Sequence, residues 1–273
     1  MIINHNISAM NTHRMLSSNT NASAKSMEKL SSGYRINRAA DDAAGLAISE
    51  KMRNQIRGLD QAQRNSQDAI SLIQTAEGAL NETHAMLQRM AELTTQAANE
   101  TITKSDANKI QSEITALTEQ IDSIANQTQF NTKKLLNTTE KLTFQVGANG
   151  GETITLSLVD TQASTLKVDS ASLTKLDGTN AVASANLKKI QDAINTVSES
   201  RSNLGAVQNR LEHTINNLGT TGENLQAAES RIRDVDMAQE MMNFTKNNIL
   251  TQAAQSMLAQ ANQQPQGVLQ LLR

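Results

Sequence analysis

The stretch DDAAGLAISEKMRNQIRGLDQAQRNSQDAISLIQTAEGALNETHAMLQRMAELTTQAAN, residues 41–99, contains no proline and reads as one helix. From Ile70 an apolar seam steps by three and four residues through Ile73, Leu80, Leu87, Ala91 and Ala98, with Glu77, His84 and Thr94 as its weak points. Asp41 and Asp42 suit the start of such a helix, because a short carboxylate accepts free backbone N–H groups and faces the positive end of the helix dipole. At 1.5 Å per residue the rod would be roughly 80 to 90 Å long. A helix of that length cannot bury its stripe within itself, so partner helices must lie along it.

Those partners are visible further along the chain. After ETITKSD (100–106), where Thr103 and Asp106 are spaced as a capping box, a second helix carries Ile110, Ile114, Leu117, Ile121 and Ile124 in strict four-three alternation. The segments LTFQV (142–146) and ETITLSL (152–158) alternate apolar and polar residues around GANGG, which predicts a β-hairpin. A phosphate-binding loop is the sharper reading of GANGG, but the lysine and helix that would hold a phosphate do not follow it. Residues 159–180 are polar, with weak strand or loop character. A return helix then places Ala183, Leu187, Ile190, Ile194, Val197, Leu204, Leu211, Ile215, Leu218, Leu225 and Ile232 on one heptad frame, broken at Arg201, Gln208, Gly222 and Glu229. It is long enough to run antiparallel to the first rod.

The two ends differ from this middle. Residues 1–33 have apolar positions at Ile3, Ile7, Met10, Leu16, Met27 and Leu30 diluted by Asn, Ser and Thr, a helix that would be marginal alone. Gly33 and Tyr34 interrupt it before the link RINRAA. Five of the six charges in residues 1–40 are basic, yet they do not gather on one face beside Trp or Phe, which argues against a membrane-surface helix. The start, MIINHNISAMNTHRM, has neither the basic nor the apolar region of a secretory signal peptide. Between Lys246 and Arg273 there is no charge at all, and Leu258, Leu269, Leu271 and Leu272 sit among glutamines and asparagines that exclude a transmembrane helix. Such a helix is suited to enclosure by copies of itself, with Pro265 expected to end or bend it before LQLL. Eight of the eleven methionines lie before residue 30 or after 236, and methionine packs adaptably.

Composition sets the remaining limits. Phe130, Phe144, Phe244 and Tyr34 are the only aromatics in 273 residues, so the large rings that dominate compact cores are missing and a bundle of long helices is the better fit. A net charge of -2 makes no electrostatic case for nucleic acid. The absence of cysteine excludes disulfides, cysteine-zinc sites and thiol catalysis. His5, His13, His84 and His213 are scattered with no H-E-x-x-H spacing, and no nucleophile-base pair is visible, so neither a metal, a cofactor nor an enzymatic role is expected. The fold class is therefore mainly α: an elongated antiparallel helical bundle or coiled coil with a small β-hairpin, its two termini meeting in a helical end domain.

Residues 30–100, LSSGYRINRAADDAAGLAISEKMRNQIRGLDQAQRNSQDAISLIQTAEGALNETHAMLQRMAELTTQAANE, resemble the amino-terminal region of bacterial flagellins. The resemblance resumes at NQTQFNTKKLL (126–136), FQVGANGGETITLSL (144–158) and residues 201–273. It implies a self-assembling filament subunit in which residues 1–43 and 234–273 form an inner tube and residues 44–233 an outer tube. Ile3, Ile7, Leu258, Leu269, Leu271 and Leu272 would serve polymerisation. It implies an extracellular location reached without a cleaved signal, through the flagellum's own type III export channel. The implied partners are many copies of the chain, the flagellar cap and hook-junction proteins, and an export chaperone at the C-terminal helix. LQRMAELTTQ and IQSEI resemble the motif read by the flagellin-specific Toll-like receptor, which implies contacts at Arg89, Leu93 and Glu113. A hook-filament junction protein and a cytosolic coiled-coil scaffold are the alternatives.

Overall fold

A computed structural model of the chain describes residues 6–177 and 179–271, with side chains through residue 263. Among these it contains α1 (Ile7–Ser32), α2 (Ala43–Ala97), α3 (Lys104–Gln127), β1 (Gln129–Phe130), β2 (Lys133–Lys134), β3 (Lys141–Gln145), β4 (Thr153–Ser157), α4 (Asn180–Arg233) and α5 (Met237–Leu271). The chain divides into two compact units, Met1–Gln55 with Glu223–Arg273, and Ile56–Gly222, so the division falls inside α2 and α4.

The central unit, Ile56–Gly222, holds one hydrophobic cluster built from α2, α3, α4 and the hairpin. In α2 one row of the seam is as the periodicity predicts: Ile73, Leu80, Leu87 and Thr94 are buried. The other row lies one residue earlier than expected, at Ala69, Ala76, Thr83, Met90 and Ala97, while Ile70, Glu77, His84, Ala91 and Ala98 are half-buried at its edge. The same displacement occurs in α4. Ala183, Ile190, Val197, Leu204, Leu211 and Leu218 are buried, and their companions are Asn186, Ala193 and Ser200 in place of Leu187, Ile194 and Arg201. Steps of three and four are interchangeable on a stripe this wide, so spacing alone does not choose between them. Small side chains on the inner row let backbones approach, and the edge positions keep Glu77 and His84 in reach of water. The seam defects also meet each other: Arg201 Nη2 lies 3.8 Å from Glu77 Oε1, antiparallel in sense with the hydrogen bond from Asn180 Nδ2 to the Ala98 carbonyl, 2.9 Å.

The polar residues turned inward are satisfied locally. Thr94 Oγ1 donates to the Met90 carbonyl (2.7 Å) and Ser200 Oγ to that of Thr196 (2.8 Å), so these hydroxyls add no unpaired group to the core. Asn186 accepts from the Thr174 N–H and donates to the Thr174 carbonyl, at 3.0 and 2.6 Å.

Helix α3 is capped as predicted, with Thr103 Oγ1 accepting from Asp106 N. It buries Ile110, Ile114 and Ile121 with Ala107, Thr118 and Ala125, leaving Leu117 and Ile124 half-buried. The predicted hairpin is present, with Leu142 opposite Leu156 and Phe144 opposite Ile154 in an antiparallel ladder. Its turn is clamped by Glu152, whose carboxylate accepts from Asn149 N and Asn149 Nδ2, contacts that hold the carboxyl below its ordinary pKa. A Cβ on Gly147 would collide with that carboxylate, which is why glycine stands there.

Residues 159–177 are a loop, as their polarity suggests, but not a bystander. They bury Ala163, Leu166, Val168, Leu173 and Leu176 in the cluster. Their backbone is accommodated by α3 side chains: Asp122 Oδ1 accepts from Ala163 N (2.8 Å) and Gln111 Oε1 from Leu176 N (3.1 Å). Apolar residues without a period gave no signal of this. The short β1–β2 pair, which turns through Asn131 and Thr132 at positive φ, is likewise outside the pattern reading.

In the terminal unit, α1 ends at Gly33, whose φ of 74° is the left-handed C-cap conformation open to glycine, with its N–H on the Lys29 carbonyl. Asp42 caps α2, accepting from Gly45 N at 2.8 Å. Asp41 does not join it in the first turn. It folds back on the link instead, accepting from Asn37 N and Arg38 N, bonds that lower its pKa. The links 33–42 and 234–236 are stitched together: Arg35 N donates to the Arg233 carbonyl, Val235 N to that of Gly33, and the Arg35 guanidinium to that of Ile232. Helix α5 carries on through Pro265 to Leu271 and is not ended there. A proline removes one N–H from the ladder and its φ is already helical, so the helix survives the lost bond.

Candidate assembly surface

Helices α1 and α5 pack side by side with polar ties: Ser23 Oγ donates to Asn248 Oδ1 (3.0 Å), and Asn6 Nδ2 to the Ala261 carbonyl (2.8 Å). Between them they bury almost nothing. Among the described side chains of the two helices only Ser26 and Ala261 are buried. Among the described residues twelve large hydrophobic side chains are exposed, and all twelve belong to the terminal unit: four on α1, six on α5, and Tyr34 and Ile48. Ordering a residue costs about 1 to 2 kcal/mol, and apolar burial is the main term that offsets it. A helix pair that leaves its apolar side chains in water lacks that offset, and an apolar surface of this extent marks a place of contact.

On α5, Met241, Met242, Thr245, Lys246, Ile249 and Leu250 line a shallow hollow of about 500 Å³. Beyond Lys246 the sequence supplies no cation or carboxylate before Arg273, so a covering surface there meets only apolar, hydroxyl and amide groups. Among the described residues no helix is long and apolar enough to cross a membrane. Of the residues expected to serve polymerisation, Ile7 is exposed and Leu258 half-buried, while the side chains of Ile3, Leu269, Leu271 and Leu272 lie outside the described residues. Met242, Ile249 and Met257 form more of the exposed face than Leu258 does. The clustering of methionines at both ends was the sequence signal that could have singled them out.

At the base of this surface sits a charged clasp. Arg233 Nη1 lies 2.6 Å from Glu50 Oε1, and the guanidinium rests over the Tyr34 ring at 5.1 Å. The hydrogen bond from Arg233 holds the Glu50 carboxyl below its ordinary pKa. Since the folded value is the lower one, the contribution is complete above the ordinary glutamate pKa and is lost as pH falls through the depressed one.

The central unit carries the other set of expected site residues. Arg89 donates to Glu113 Oε1 through Nε (3.1 Å) and Nη2 (3.0 Å), and to Glu92 through Nη1 (3.2 Å). The Glu113 contact is the main cause of an Arg89 pKa above its ordinary value. Arg89 and Glu113 are thus neighbours on an exposed face, but Leu93 is 2% exposed and faces the core. His84 is half-buried, with Nε2 3.0 Å from Gln88 Nε2, and no group of three or more His, Asp or Glu is placed to hold a metal ion among the described residues.

Two family descriptions match the chain: the bacterial flagellin N-terminal helical region over residues 3–141, and the C-terminal helical region over residues 187–272. The flagellin of Bacillus subtilis is 60% identical over the whole of both chains. The flagellin of Halalkalibacterium halodurans is 61% identical, again over the whole of both. The crystal structure of Bacillus cereus flagellin superimposes with a TM-score of 0.51 at 35% identity, covering 61% of this chain and 94% of that one. An exposed apolar pair of terminal helices, and identity of this level from one end to the other, lead to one conclusion: the chain belongs to the bacterial flagellins.

Proposed function

We propose that residues 1–43 and 234–273 form the inner tube of a filament and residues 44–233 its outer tube, with the β3–β4 hairpin near the outer end. The chain is a structural subunit of the extracellular flagellar filament and belongs to a structural family, not an enzymatic one. Relatives at this identity are flagellins throughout their length, which disfavours a hook-filament junction protein or a cytosolic scaffold. The observation that supports the tube arrangement is the exposed apolar face of α1 and α5, which the chain itself leaves uncovered. In a tube, copies on several sides cover it. The subunit would reach the outside without a cleaved signal, through the flagellar type III channel, with a chaperone holding α5 beforehand and the cap and hook-junction proteins meeting it at the filament ends. Electron microscopy of the purified chain on concentration tests the reading: long tubular filaments of one subunit are expected, and a population of discrete short oligomers would overturn it.

The same reading extends to immune recognition. Arg89 and Glu113 present a paired, exposed charge set on neighbouring helices, suited to the flagellin-sensing Toll-like receptor, with Leu93 holding the helix from beneath. An Arg89→Ala, Glu113→Ala double variant is expected to shift receptor activation by about tenfold or more, as loss of a central charged contact does. A reporter-cell dose curve that coincides with the unaltered chain would remove the assignment.

A further inference from the structure

We infer that the methionines of α1 and α5 are an oxidation-sensitive control on assembly: hydroperoxides convert them to sulfoxides in the unassembled subunit, and the oxidised subunit does not enter a filament. The inference rests on the assembly reading above. The distribution of thioethers carries it. Met10 and Met27 on α1 and Met241, Met242 and Met257 on α5 are between 49% and 67% exposed, whereas Met90 in the central cluster is 0% exposed. The reactive set therefore coincides with the surface that must be covered, and the inert one with the core that is already closed.

The chemistry is self-contained once the peroxide is named. A sulfur lone pair attacks the hydroxyl oxygen of the peroxide as the O–O bond breaks; an S–O bond forms, and the departing oxygen takes up that hydroxyl's proton and leaves as water, or as an alcohol from an organic hydroperoxide. Sulfur is oxidised by two electrons and the peroxide is reduced by two. The product is a polar, chiral side chain where a flexible apolar one stood. Met241 and Met242 border the hollow with Ile249 and Leu250, and beyond Lys246 the tail sequence has no charged side chain before Arg273. Of the groups around the hollow only Thr245 and Lys246 can donate to a sulfoxide oxygen, so with several methionines oxidised the oxygens outnumber the donors there, and each one enclosed without a donor carries the penalty of an unpaired buried polar group. Inside a filament the same sulfurs are shielded, so the sensitivity belongs to the free subunit, and methionine sulfoxide reductases provide the route back.

The test uses the full chain, hydrogen peroxide, peptide mass spectrometry and sedimentation. In the monomer, the α1 and α5 methionines are expected to oxidise at least about tenfold faster than Met90, following exposure. The critical concentration of the oxidised chain is expected to rise about tenfold or more, and to return after treatment with the two sulfoxide reductases. A Met10→Leu, Met15→Leu, Met27→Leu, Met237→Leu, Met241→Leu, Met242→Leu, Met257→Leu variant, a change that conserves volume, should keep most of its assembly after peroxide. Oxidised chain that pellets like untreated chain would overturn the inference, as would a leucine variant that loses assembly as fully as the original. If instead these methionines react as fast in pelleted filaments as in monomer, the placement of α1 and α5 inside the tube is what fails.

Discussion

A chain carrying Met242→Asp and Ile249→Asp is expected to remain monomeric at concentrations where the unaltered chain polymerises, with its central unit intact. Both side chains are exposed in the isolated subunit, so their replacement removes no packing there, and exposed substitutions usually stay within about 0.5 kcal/mol. The consequence appears only on assembly. A carboxylate enclosed by apolar and amide groups costs several kcal/mol unless it is paired; Lys246, which lines the same hollow, can pair one of the two, and from Asn247 to Leu272 the sequence offers no cation for the other. Each 1.4 kcal/mol is about tenfold in an equilibrium constant, and every added subunit brings at least one unpaired carboxylate, so the critical concentration should rise by about a hundredfold or more. Sedimentation at matched concentration reads this directly, with circular dichroism and a thermal melt checking that the central helices survive. Pelleting at the unaltered concentration would mean that this face of α5 does not meet other copies.

The reason this surface was readable in part from the sequence, and only in part, lies in what periodicity encodes. An uncharged, amide-rich tail and methionines gathered at both ends said that the termini were built for contact, but not which side chains the α1–α5 pairing would leave outside. Leu258 turned half-inward while Met242 and Ile249 stayed out, because the pairing is set by polar ties such as Ser23 with Asn248 and not by a leucine seam. In the central unit the rows carrying Ile73, Leu80 and Leu87, and Ile190, Val197 and Leu204, were legible because bulky residues repeat every seven. The facing rows were not, since alanine, threonine, serine and even Asn186 occupy them, and a small residue is a weak signal in any pattern. Strong local chemistry read true: the Thr103 cap and the hairpin around GANGG. Asp41 and the loop 159–177 read less well, because their partners, the Asn37 and Arg38 amides and the side chains of Asp122 and Gln111, are tertiary facts.

The two units therefore owe their stability to different things, and Leu87→Ala should expose the difference. Leu87 is 0% exposed and belongs to the cluster that joins α2, α3, α4 and the hairpin. Truncating a buried leucine removes its transfer free energy and leaves a cavity that a rigid helical packing closes only partly, a loss of about 2 to 5 kcal/mol. For a cooperative unit of this size each kcal/mol is worth about 2 to 4 °C, so the melting transition of the monomer should fall by roughly 5 to 15 °C. Leu250→Ala removes the same atoms from a side chain that is 40% exposed and has no core to leave, and it should move that transition by less than about 2 °C. In assembly the two variants should differ in the opposite sense: below its own transition the Leu87 variant polymerises close to the unaltered threshold, while the Leu250 variant needs a higher concentration. Thermal melts of the monomer and sedimentation at fixed temperature, made on the same two preparations, decide the matter. A Leu250→Ala chain that melts as low as Leu87→Ala would place α5 within the cooperative core of the monomer, and the division between a self-sufficient middle and ends completed by other copies would be wrong.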